Sequence, residues 1–160
     1  SSQSRGLGDV YKRQLWHCVF VGLRYTSATM SETYNFDFNA DPYFQFLGMN
    51  LLSAENDTAV MRLTPNENTA SGINGSVHGG VVATLLDNAA VAAVWTKLQG
   101  AIPAGTADLQ ITYLRQSHGE LEAKARVIKR GRQLCTVLVD ITDADGILCA
   151  SGRVLYALRN

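Results

Sequence analysis

The stretch from Gly75 to Trp95, G-S-V-H-G-G-V-V-A-T-L-L-D-N-A-A-V-A-A-V-W, leaves few choices for the fold around it. Glycines and a histidine open it, and between Val81 and Trp95 the only polar residues are Thr84, Asp87 and Asn88. The run is rich in Ala and Leu and free of Gly and Pro past its opening, which predicts a helix over about 77–98. A helix apolar nearly all round is buried rather than laid on a surface. One sheet face cannot cover such a helix, so other subunits or loops must cover the rest, and an oligomer is expected. Asp87 is then the anomaly. An aspartate in an apolar helix must be paired, protonated or used. It reads as a functional carboxylate, with a local side-chain hydrogen bond or a subunit contact as the plainer alternatives.

Composition narrows the function classes. A chain of 160 residues is one domain's worth, enough for a real core. Its formal net charge is zero and its pI about 6.8, so nothing calls for nucleic acid or an anionic membrane surface. No apolar run is long enough for a membrane-spanning helix. Cys18, Cys135 and Cys149 show no C-x-x-C spacing, and Cys135 and Cys149 fall in predicted strands, so buried free thiols in a reducing, cytoplasmic compartment are expected. His17, His78 and His118 have no ligand spacing with them, and no metal is expected.

Residues 1–29 differ in character from the remainder of the chain. They show no usable period apart from a short apolar patch, Leu15 to Leu23, and Asp9 to Gln14 resembles translated adapter or vector sequence. A signal peptide would need a small-residue cleavage site that is not evident. Met30, before Ser31 and Glu32, reads as an ordinary start. The expectation is a leader of doubtful origin over 1–29, with a targeting segment or an extra helix as alternatives, and a functional domain over 30–160.

Within that domain, Asp41 and Pro42 start a short amphipathic helix that Gly48 ends. Met49 to Ala54 and Thr58 to Leu63 form a predicted hairpin. Thr64 to Asn74 is a loop into the central helix, and Gly100 to Gly105 is a loop out of it. Strands follow over Thr106 to Leu114, Glu120 to Lys129, Gln133 to Thr142 and Ile147 to Leu158, separated by good turn residues. Short links imply antiparallel neighbours. The fold class is α+β: one long helix against an antiparallel sheet.

Three segments carry a family resemblance: Asn74 to Ala89 (N-G-S-V-H-G-G-V-V-A-T-L-L-D-N-A), Ala107 to Arg115 (A-D-L-Q-I-T-Y-L-R) and Gly119 to Arg132 (G-E-L-E-A-K-A-R-V-I-K-R-G-R). H-G-G with Asp at the ninth position after the His is fairly specific in this context. The chain resembles the hotdog-fold acyl-CoA thioesterases, in particular the phenylacetic-acid-degradation-type, PaaI-like, family. The resemblance implies a long helix wrapped by a sheet that two subunits share, pairing often repeated into a homotetramer, and active sites at the interface. It implies hydrolysis of acyl-CoA to free acid and CoA. No separate cofactor is implied, since coenzyme A is part of the substrate.

The residues suit that chemistry. Gly79 and Gly80 lie in the first turn of the helix, where four backbone N–H groups lack intrahelical partners. Glycines let a ligand approach the backbone closely, and the positive end of the helix dipole favours an oxyanion there. Tight packing at the helix start would also explain both glycines. Asp87, nine positions after His78, lies roughly 13 Å further along the axis and can hardly serve a carbonyl at its own helix start. Antiparallel helices across a two-fold axis would bring Asp87 of one subunit to Gly79 of the other.

Asp87 is the expected general base or nucleophile, with burial raising its pKa. By the resemblance, Thr106 corresponds to a hydroxyl residue that orients water, against a plain strand-start threonine. His78 would hold the helix start or the thioester sulfur region, or be structural. Relatives often carry Asn or Gln six positions before the His, where this chain has Gly72, and Asn74 is the candidate replacement. Gly80 and Asn88 complete the expected substrate contacts. Arg130, Gly131 and Arg132, with Lys129, are candidates for the coenzyme A phosphates, against a merely solvated basic turn. Arg115 and His118 are weaker candidates. Phe46, Leu47, Trp95 and Tyr113 are candidates for shaping the acyl pocket. The absence of a P-loop or dinucleotide fingerprint argues against nucleotide hydrolysis and redox chemistry. The alternative function is a non-catalytic acyl-CoA or lipid-binding module of the same fold, which would not need a buried carboxylate. A dehydratase fits less well, because H-G-G does not offer its histidine–acid motif.

Overall fold

A computed structural model of the chain describes residues 36–159; the expectations for residues 1–29, including His17 and Cys18, lie outside them. Two aspartates set the first turns. Asp37 accepts from the N–H groups of Asn39 and Ala40 and starts a single 3-10 turn, Phe38–Ala40. Asp41 accepts from Tyr43 and Phe44 and caps helix α1, Pro42–Leu47. Proline at its first position loses no hydrogen bond, and Gly48, at φ 71°, takes the left-handed conformation that ends it.

Strands β1 (Met49–Glu55) and β2 (Thr58–Leu63) form the expected hairpin. Its two turn residues, Asn56 and Asp57, both have positive φ, 48° and 66°, the conformation that matches the strand twist and that Asn and Asp tolerate best. Helix α2 runs Gly79–Trp95, shorter at both ends than the predicted 77–98. His78 caps its start. At its end the Thr96 hydroxyl donates to Ala93 O, and Gln99 turns to φ 51°.

Strands β3 (Ile102–Tyr113), β4 (Leu121–Arg130), β5 (Leu134–Asp143) and β6 (Leu148–Arg159) complete one six-stranded sheet in the order β1-β2-β4-β5-β6-β3, antiparallel throughout. Two expectations change here. The predicted loop before Thr106 is largely strand, because β3 pairs with β6 back to Ile102 opposite Arg159. Pro103 is tolerated there because β3 is an edge strand. And β3 does not neighbour β4. Residues 114–120 cross past the ends of β5 and β6, a displacement of about three strand spacings, roughly 14 Å, which seven residues span easily. That crossing link gives Ser117 O as acceptor to Val77 N–H at 2.8 Å and so ties the sheet end to the approach to α2.

The core lies between α2 and one face of the sheet. Leu121, Ala123 and Ala125 of β4 alternate inward as the sequence predicts, and Glu122, Lys124 and Arg126 face outward. Leu85 and Leu86 of α2 are completely buried, each stabilising the fold by roughly 1.5–3 kcal/mol. Gly152 lets the helix approach this closely: a Cβ there would meet Leu86 Cδ1 at 2.7 Å and Gln110 O at 2.4 Å. Cys135 and Cys149 are buried free thiols. Thr84, Asp87, Asn88 and Val91 form a stripe on α2 that this chain covers only partly. Among the described residues no helix is long and apolar enough to cross a membrane.

Candidate active site

The start of α2 is built by His78. Its Nδ1 accepts from Gly80 N–H at 3.0 Å, which leaves the proton of a neutral ring on Nε2. Its carbonyl accepts from Val81 N–H at 2.9 Å and Val82 N–H at 3.1 Å. Of the first-turn donors, Gly79 N–H alone has no acceptor among the described residues. The four unpaired groups that a bare helix end offers thus reduce to one, and Gly80 N–H is already engaged.

Gly79 is also held from the sheet. The Tyr113 hydroxyl donates to Gly79 O at 2.8 Å, and the tyrosine ring lies 3.6 Å from where a Cβ at Gly79 would be. Beside this point opens a cleft of about 500 Å³. Its walls are the loop before α2, including Gly72, Ile73 and Ser76, and the crossing link from Leu114 to Ser117. His78, Gly79 and Tyr113 line it.

Asp87 sits two turns further along α2, half-buried, and accepts from the Thr106 hydroxyl at 2.7 Å. Burial pushes its carboxyl above the ordinary carboxylate value, and the Thr106 hydrogen bond draws it part of the way back. Thr106 and Tyr113 are seven residues apart on β3 and would face opposite sides of a regular strand. A bulge between Thr106 and Asp108 puts both on the helix side. One edge strand therefore holds both the carboxylate and the helix start.

Nearby polar side chains serve the helix itself. Asn88 Nδ2 donates to Thr84 O at 2.8 Å, and the Thr84 hydroxyl donates to Gly80 O at 2.9 Å. Asn74 is exposed, at φ 56°, in the 3-10 turn Ile73–Gly75, and is not among the residues that line the cleft. Gly72 has a steric reason to be glycine. A Cβ would come within 2.5 Å of Ser76 Oγ and 2.7 Å of Ser76 O, so a side chain has no room at this point of the loop.

The basic turn divides its two arginines. A bulge between Val127 and Lys129 swings Arg130 inward, opposite buried Cys135. There its Nη2 donates to Val94 O at 3.0 Å, near the end of α2, and its Nε donates to Asp57 Oδ1 at 3.0 Å. Lys97 Nζ pairs with the other Asp57 oxygen, also at 3.0 Å. Burial raises the Asp57 pKa, but the hydrogen bonds from Arg130 and Lys97 and their charges outweigh it and hold the carboxyl below its ordinary value. The Arg130 fork is thus occupied, whereas Arg132 is exposed, and Gly131, which hydrogen-bonds Leu134 O, shapes the turn. Arg130, Gly131 and Arg132 border a second cleft of about 440 Å³, beyond the end of α2 and away from Gly79. Alternation could not reveal the inward turn of Arg130 or the contact of Tyr113 with Gly79, since both follow from bulges.

The comparisons agree with this architecture. The sequence profile of the Thioesterase superfamily matches residues 74–150. Human acyl-coenzyme A thioesterase 13 is 35% identical over 113 residues, covering 69% of this chain and 79% of that protein. The structure of zebra fish thioesterase superfamily member 2 superposes with a TM-score of 0.63 at 30% identity, over 74% of this chain and 88% of that one. The E. coli PaaI protein from the phenylacetic acid degradation operon superposes with a TM-score of 0.63 at 25% identity, over 71% and 86%. The long helix laid against an antiparallel six-stranded sheet is the hotdog fold, and the chain belongs to the thioesterase superfamily as a PaaI-like thioester hydrolase.

Proposed function

We propose that this protein hydrolyses an acyl-CoA thioester to the free carboxylic acid and CoA, at a site shared between two subunits. The carrying observation is the pair of anchors on β3: Thr106 on the Asp87 carboxylate and Tyr113 on the Gly79 carbonyl. Gly79 N–H is the donor for the thioester oxygen, and an oxyanion donor of this kind commonly contributes roughly 3 kcal/mol to the barrier reduction. Asp87 is the carboxylate that either takes a proton from the attacking water or attacks the carbonyl itself. In the first case the water oxygen bonds to the carbonyl carbon and the oxyanion collapses. The C–S bond then breaks, and the thiolate recovers the proton.

The two groups belong to different protomers because of the length of α2 between them. β3 supports a way to join them. It is a 12-residue edge strand, open on one side. Antiparallel pairing with the same strand of a second copy, about a two-fold axis near Gln110, would set Thr106 of one subunit opposite Tyr113 of the other, with Ala107 as the extra residue of the bulge. The partly covered stripe on α2 would face the partner as well. A further pairing into a tetramer is consistent with Leu134 and Leu138, exposed on the outer sheet face. The buried free thiols suit a reducing, cytoplasmic setting. Arg132 is the side chain for coenzyme A phosphate, with Arg130 supporting its turn.

The test is release of free thiol from a panel of aromatic, medium-chain and long-chain acyl-CoA esters, with the unsubstituted chain and Asp87→Ala in parallel. Hydrolysis that falls by about a hundred-fold or more in the variant, with assembly unchanged, is the expected result. Binding of the esters with no turnover by the unsubstituted chain would instead make it a binding module.

A further inference from the structure

We infer that Tyr113 is a positioning residue that fixes the direction of the Gly79 N–H. The inference rests on the thioesterase reading above and adds a residue to it.

Two peptide planes meet at the Gly79 Cα. The preceding plane, between His78 and Gly79, carries the unengaged N–H, and its carbonyl accepts from Val81 at 2.9 Å and Val82 at 3.1 Å. The following plane, between Gly79 and Gly80, is held at both ends. Its N–H donates to His78 Nδ1 at 3.0 Å, and its carbonyl accepts from the Tyr113 hydroxyl at 2.8 Å. A glycine between two planes has wide rotational freedom, and the Gly79–Gly80 pair doubles it. Of these four bonds only that from Tyr113 comes from outside the helix and its cap. The entry to the helix is anchored separately, by His78 N–H on Thr69 O at 2.9 Å and Val77 N–H on Ser117 O at 2.8 Å, but neither bond reaches the Gly79–Gly80 plane.

The ring contributes too. Its Cε1 and Cζ lie 3.6 Å from the Cβ position of Gly79, closing one side of that residue while the cleft leaves another side open. Tyr113 reaches this place because the bulge at Ala107 sets its register relative to Thr106, so one strand holds both groups, and in the shared site proposed above the pairing of two β3 strands would set each N–H donor against the partner's carboxylate. A donor that is already oriented stabilises developing charge without reorganising during the reaction. The hydroxyl of Tyr113 touches no reacting atom; it acts through the peptide.

The substitution Tyr113→Phe removes the hydroxyl and keeps the ring. Steady-state hydrolysis of the best ester in the panel should show kcat reduced about ten-fold with KM within about two-fold, the pattern of an interaction that matters in the transition state. Amide hydrogen exchange, followed by NMR on the whole protein, should accelerate at Gly79 and Gly80, with exchange in β5 unchanged. A lost packing contact alone would lower thermal stability without separating kcat from KM. If the unsubstituted chain is active and Tyr113→Phe matches its kcat, or if exchange at Gly79 and Gly80 does not change, the role of Tyr113 is overturned and the thioesterase reading survives. If the unsubstituted chain hydrolyses no ester, the reading fails first and takes this role with it.

Discussion

The Thr106 hydroxyl donates to the Asp87 carboxylate at 2.7 Å, joining the edge strand of the sheet to the middle of the buried helix. This hydrogen bond favours the charged carboxylate and opposes the effect of burial. Removing it in Thr106→Val leaves burial unopposed, so the Asp87 pKa rises further. If Asp87 works as the carboxylate, activity falls as pH drops through that pKa. The acid limb of the kcat profile should therefore move to higher pH in Thr106→Val. A limb that stays in place would mean that another group controls it.

Asp57 joins the hairpin tip to the end of α2 through Arg130 and Lys97. Its folded pKa lies below the unfolded value of about 3.9, so its contribution is fully present above that value and is lost as pH falls through the lower folded pKa. Asp57→Asn keeps a side chain suited to the positive φ at this position and removes the charge. Its expected cost near neutral pH is about 1–3 kcal/mol, because Arg130 is left partly buried without its counter-charge. Urea denaturation of both forms at pH 7 and near pH 3 checks this: the gap should narrow in acid.

Arg130 and Arg132 share one turn and should separate experimentally. Arg130→Ala loses the bond to Val94 O and the pairing with Asp57, so its main effect should be on thermal stability. Arg132 is exposed, and Arg132→Ala should leave stability within about 0.5 kcal/mol of the parent. It should raise KM for acyl-CoA several-fold, and leave KM unchanged for an acyl-pantetheine thioester without the nucleotide. Equal KM effects on both substrates would remove Arg132 from phosphate binding.

Gly72 cannot simply be exchanged for the asparagine that the family resemblance leads one to expect there. In Gly72→Asn the new Cβ would press on Ser76 Oγ at 2.5 Å and Ser76 O at 2.7 Å, both in the loop that leads to His78. Overpacking of this kind costs about 1–3 kcal/mol, and activity should fall with stability. A variant that melts like the parent and hydrolyses faster would mean that the loop yields readily and that Asn74 is no substitute.

Much of this was readable along the chain. Asp41, Pro42 and Gly48 mark α1 through capping chemistry that acts within a turn. Asn56 and Asp57 mark a hairpin through their tolerance of positive φ. The apolar run after His78 marks the helix, and Asp87 within it marks the place where burial and charge conflict. H-G-G and the Asp beyond it, together with Ala107–Arg115 and Gly119–Arg132, suggest the family that the comparisons establish. All these signals depend on a residue and its near neighbours.

Other features depended on the tertiary structure. Local pattern made β3 and β4 candidates for pairing, but β5 and β6 lie between them, because strand order is decided by which edges find partners across the whole sheet. Two single-residue bulges then reversed alternation, one turning Arg130 toward the end of α2 and the other placing Thr106 and Tyr113 on one face. A bulge is a mismatch between two strands, and no spacing within one strand encodes it. The chain by itself thus determined which elements form and which carboxylate is out of place. Only the packed sheet decided what holds that carboxylate, which N–H is left unengaged, and which arginine is held inside, since each of those is a relation between residues that are distant in sequence.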